Sequence, residues 1–133
     1  MTASLYDFGR DQFLGGSIDW ATDDIRVILV DTDDYTVNLA TDQHLDDVPG
    51  AARVATAALA NESTDGAGTA DADDLTFSSV SGDQFEAIVI YQHTGTESTS
   101  ILIGYDDTLV GLPFTPSGSD ITITWDAAGI FTL

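Results

Sequence analysis

From residue 75 onward, apolar and polar positions alternate with the period of two that marks a strand with one buried face. Leu75 and Phe77 share a side with Ser79, residues 85–91 and 101–105 form strong apolar runs, and Ile121, Ile123 and Trp125 alternate with Thr122 and Thr124. A turn at 126–129 and a last strand over 130–133 follow. Upstream, 25–30 is a β-branched run between acidic clusters, the pattern of a strand buried on both faces except where Arg26 points. Residues 35–39 predict a short second strand, and 42–48, closed by Pro49-Gly50, a helical turn or loop. Residues 51–59 read as a strand, with Arg53, Val54 and Thr56 in a strand-rich neighbourhood outweighing the alanines. The opening differs: residues 1–16 predict a short helix with Ser4 as N-cap, Asp7 as its capping-box partner and Leu5, Phe8 and Phe13 on its apolar side, stopped by Gly15-Gly16. Residues 61–74 are small, polar and acidic and predict a long acidic loop, and 111–119, with Pro113 and Pro116, another. Six to eight short strands and an N-terminal helix give an all-β fold, a sandwich or barrel of jelly-roll type.

Length makes this one domain. The 133 residues suit a single core, and the segments flanking 61–74 are each too small to fold alone, so the domain is expected to run over 1–133. With 43% hydrophobic residues there is material for that core. Charge changes the picture more. There are 23 acidic residues, 20 of them Asp, against 3 basic ones, for a net charge of −20; Lys is absent and the cations are Arg10, Arg26 and Arg53. Such a surface repels phosphate backbones and anionic headgroups, so neither nucleic acid nor a membrane surface is an expected partner. No apolar run approaches the roughly 18 residues of a spanning helix, and the first residues show neither the basic nor the apolar region of an export signal. Without cysteine, disulfides and thiolate metal sites are excluded.

Catalytic chemistry has few candidates. Nucleophilic catalysis needs an activated side chain beside a base, and the imidazoles are His44 and His93, both read as solvated loop residues. No Gly-x-Ser-x-Gly elbow occurs, and Gly66-Ala67-Gly68-Thr69-Ala70-Asp71 fails the dinucleotide fingerprint at its last position. Paired carboxylates are too numerous for any pair to be singled out. Two clusters could offer hard oxygen ligands to a cation, Asp31, Asp33 and Asp34 at a strand end and Asp71, Asp73 and Asp74 before another, although neither matches an EF-hand loop. Solvated acidic turns are the expectation for both, and no cofactor is called for. The sequon Asn61-Glu62-Ser63 is read as a coincidence. Trp20, Trp125, Phe77, Phe85, Phe114 and Phe131 are expected in the core. Leu5, Tyr6, Phe8 and Phe13, on a terminal helix, either cap the β domain or dock on a neighbour.

Several stretches resemble small virion proteins of tailed phages. Residues 5–10 followed by Phe13-Leu14-Gly15-Gly16 and Ile18-Asp19-Trp20 look like their N-terminus; 27–32, 35–39, 51–55, 111–116 and 120–126 are similar to later segments in the same order. The resemblance carries no catalytic motif, and this chain departs from it by lacking Lys. It implies a non-enzymatic structural subunit of the particle, a capsid decoration or turret protein over the major capsid lattice, assembled in the host cytoplasm and residing on the virion. Expected partners are the major capsid protein or other virion proteins, and copies of itself in a symmetric homo-oligomer, with Leu5, Tyr6, Phe8 and Phe13 as interface candidates. A tail, neck or baseplate component is the alternative, and a glycan-binding host-attachment module a further one.

The acidic surface points to a salt-rich setting, and together with the resemblance to a tailed virus of a halophilic archaeon. At about 0.1 M salt charges interact over about 10 Å, and at 1 M over about 3 Å. Carboxylates unbalanced by cations therefore repel strongly in dilute buffer and little in brine. Raising NaCl from 0.1 M to 2 M should raise the urea midpoint of unfolding; a midpoint that falls with salt would refute the halophilic expectation.

Overall fold

An uninterrupted β-branched run is stable as a strand only when both of its faces are covered, and the fold is arranged around that requirement. The computed structural model describes residues 3–133. Among them ten strands and one α-helix follow in the order β1 (Ser4–Leu5), α1 (Asp7–Leu14), β2 (Ile25–Val30), β3 (Arg53–Ala58), β4 (Ser63–Thr64), β5 (Thr69–Asp71), β6 (Leu75–Phe77), β7 (Ala87–Gln92), β8 (Ile101–Asp106), β9 (Ile121–Ile123) and β10 (Phe131–Thr132). The protein is thus mostly β, with ten strands where six to eight were expected. They form three antiparallel sheets, a main sheet β1-β8-β7-β2-β3, a second β10-β5-β4 and a third β6-β9, which do not close into one barrel.

Strand alternation sorts the main sheet's side chains onto two faces. Val27 pairs with Ile90 and Leu29 with Ile88; these, with Ile103, join Trp20, Phe77, Ile121, Ile123, Trp125 and Phe131 from the other sheets and their connections in the larger core. On the opposite face Ile28 pairs with Val89, and with Val30, Tyr91 and Leu102 is covered by Tyr6, Tyr35, Leu45, Val48 and Ala52. That cover is an irregular segment with 3-10 turns at Leu45–Asp47 and Gly50–Ala52. The strand expected over 35–39 is absent. Its alternation is real, since Tyr35 is buried and Thr36 exposed, but it lies on a sheet face, where no strand edge offers a ladder. Its polar groups turn to local partners instead: Asp42 accepts hydrogen bonds from the Asn38 N–H (3.0 Å) and the Tyr35 hydroxyl (2.7 Å), and the Tyr35 and Tyr6 hydroxyls are bonded at 2.9 Å. Burial, the main cause, pushes both phenols above their ordinary range, so both stay protonated.

Two further expectations are corrected. The helix predicted within 1–16 starts at Asp7, with Tyr6 at the N-cap position and no side-chain cap, and Ser4 lies in a strand; Met1 and Thr2 of that stretch lie outside the described residues. The exposed edge of β8 explains the difference. β1 pairs with it at Gly104 and Tyr105, the Tyr6 N–H reaches the Ile103 carbonyl (3.0 Å), and the Leu102 N–H reaches the Gln43 carbonyl (3.0 Å). α1 lies against the stretch between, where Gly9 allows the contact. The acidic loop of 61–74 is instead the hairpin of β4 and β5, paired through β5 to β10. That partner lies too far along the chain for local composition to announce it.

A Cβ on Gly9 would sit 2.5 Å from the Leu102 carbonyl oxygen and 3.1 Å from the Ile103 Cα, both backbone atoms that cannot swing aside. Alanine favours helix by up to about 1 kcal/mol over glycine, whereas overpacking costs about 1–3 kcal/mol. Gly9→Ala should therefore destabilise the protein by about 1–2 kcal/mol in urea unfolding at high salt; a gain in stability would show that α1 is not pressed on β8.

Candidate functional site

With both faces of the main sheet covered, the carboxylates lie on α1, in the loops and turns and at strand ends. Among the described residues only Asp31 and Asp106 of the acidic side chains are buried. The arginines are engaged within the chain. Arg10 pairs with Asp7, Arg26 donates to both oxygens of Asp24 (3.1 and 3.0 Å), and Arg53 donates to Glu97 (2.8 Å) and to the Leu45 and Val48 carbonyls. The hydrogen bond from Arg26 holds the Asp24 carboxyl below its ordinary range, as that from Arg53 does for Glu97. Each of the three arginines thus has a carboxylate partner within the chain.

Among the described residues the large exposed apolar side chains are Leu14, Val110, Phe114 and Leu133, at 83%, 101%, 40% and 53% exposure. They fall into two groups at opposite ends of the main sheet. Ser17, just beyond α1, accepts a hydrogen bond from the Gln92 side chain (2.9 Å), and Gln92 pairs with Ile101, which places Leu14 at that end. Here a hollow of about 350 Å³ opens between Phe13, Ile18, Trp20, Phe131 and Leu133. Trp20 meets Phe131 edge-on at 5.1 Å and Phe13 lies 5.8 Å from the same ring, so the floor is a fixed aromatic cluster.

At the other end β8 runs out at Asp106 and the chain enters residues 108–119, which carry no carboxylate. Phe114 is tied back to Phe85 by two backbone hydrogen bonds of 3.0 Å, just before β7, with the rings 5.8 Å apart. Val110 projects from this loop between two hollows, one of about 190 Å³ against Phe114 and Ile121 and one against Trp125. Six residues of strand at about 3.3 Å each separate the two ends by roughly 20 Å.

The candidate residues taken from sequence divide accordingly. Tyr6 is fully buried and bonded to Tyr35, which removes it from any docking surface; Leu5, Phe8 and Phe13 are half-buried against the core, Phe13 facing the hollow. Phe114, expected in the core, is partly exposed, whereas Trp20, Trp125, Phe77, Phe85 and Phe131 are buried. The indole N–H of Trp20 goes to the Asp71 carbonyl (3.1 Å) and that of Trp125 to the Asp73 carbonyl (3.0 Å). Asp74 accepts the Trp125 backbone N–H, so the second acidic stretch anchors the two tryptophans. The first stretch is regrouped. Asp31 and Asp34 come together with Asp83, their oxygens within 4.8 Å, while Asp33 points its backbone N–H to Asp31. His44 meets the Phe8 ring in a tilted contact at 5.1 Å, and His93 lies beside Tyr91. The surface residues that sequence reasoning missed are Leu14, Val110 and Leu133. For Val110 a signal existed, the carboxylate-free run between Asp107 and Asp120 in a chain otherwise dense in Asp.

Beside the aromatic hollow, the β4–β5 turn is fixed by Asp65, which accepts the N–H groups of Ala67 (2.7 Å) and Thr69 (3.1 Å). Those bonds hold its carboxyl below the ordinary range. Its contribution to stability is therefore present above the unfolded value near 3.9 and lost as pH falls through the lower folded value. A carboxyl-detected NMR titration should give Asp65 a midpoint below that of the unfolded chain; an equal or higher midpoint would mean that the turn is held otherwise. Neither a protein-family model nor a curated protein matches the chain.

Proposed function

We propose that this protein is a non-enzymatic structural subunit of a tailed virus, a decoration or turret protein on the capsid, in contact with the major capsid protein and with copies of itself in a salt-rich host. The observation that carries this reading is the placement of exposed apolar side chains at the two ends of a domain otherwise covered by carboxylates. Apolar groups gathered at a surface mark a contact with another macromolecule. The resemblance of the segments to small virion proteins of tailed phages supplies the particle. The finer architecture belongs to the same proposal: the main sheet and the two smaller ones act as layers of an open, jelly-roll-like sandwich, whose strand ends rather than faces meet the neighbours.

A ring subunit of the tail or neck is the second reading. It is favoured by the apolar groups lying at opposite ends, since contacts between unlike surfaces form rings where the rotation between copies closes. The glycan-binding reading draws no support from the tryptophans, both buried and hydrogen-bonded to backbone.

Gold-labelled antibody against the chain, applied to particles released by the cells that encode it, should mark heads at many sites, tailless heads included. Label restricted to the neck or tail would favour the second reading. Purified particles free of the chain would overturn both.

A further inference from the structure

We draw no further inference here: the strongest candidate, the hollow of about 350 Å³ lined by Phe13, Trp20 and Phe131 at one end of the main sheet, is an apolar surface for which nothing in the structure shows what covers it.

Discussion

Burial of the main sheet on both faces is the constraint from which the other features follow. β2 and β7 are apolar at nearly every position, so neither face can be left to water. One face is met by strands of the two small sheets and their aromatic side chains. The other is met by a length of chain with almost no regular structure, which brings polar groups against an apolar surface. An irregular cover must find partners for its own polar groups, and the run Tyr6–Tyr35–Asp42 does so, tying the end of β1 to the segment over the sheet. Arg53 has a parallel role at the other side of the same cover, capping the Leu45 and Val48 carbonyls.

Sealing the faces leaves the edges and the ends. β8 has its open edge covered in three pieces, by β1, by α1 pressed close through Gly9, and by the backbone around Gln43 and His44. β3 at the far edge lies beside β6. With faces and edges occupied, the ends of the strands are where apolar side chains remain in contact with water. This accounts for the exposure of Leu14, at the end of α1, and of Val110, in the loop after β8.

How far the fold was legible follows from the same geometry. Runs that are strands because of their own composition were readable: β2, β3 and β9 lie within the stretches that alternation and β-branching marked out, and β7 and β8 overrun theirs by one residue. Elements that exist because of a distant partner were not. Ser4 has every local attribute of an N-cap, yet the edge of β8 recruits its backbone as a strand. Thr69–Asp71 has the composition of a loop, yet β10, far along the chain, makes it a strand. Residues 35–39 fail in the opposite sense, with the alternation of a strand but no edge to pair with. At the candidate site, Phe13 was readable as an apolar residue of a terminal helix. Phe114 was not, because an aromatic residue in a Pro-rich loop gives no local sign of whether it closes the core or stands over it.

Charge and apolar exposure therefore answer different questions. The net charge of −20 is spread over loops, the helix and strand ends that have no common structural task, and its physical consequence is a dependence on ionic strength felt by the whole molecule. It speaks of the solvent. The carboxylate-free stretch at 108–119 interrupts that background, with Val110 exposed in a segment flanked by Asp107 and Asp120. The hollow at the opposite end meets a different condition, since its aromatic floor is held rigid by Trp20, whose indole is bonded to the Asp71 carbonyl. A rigid hollow loses little conformational entropy when it is filled.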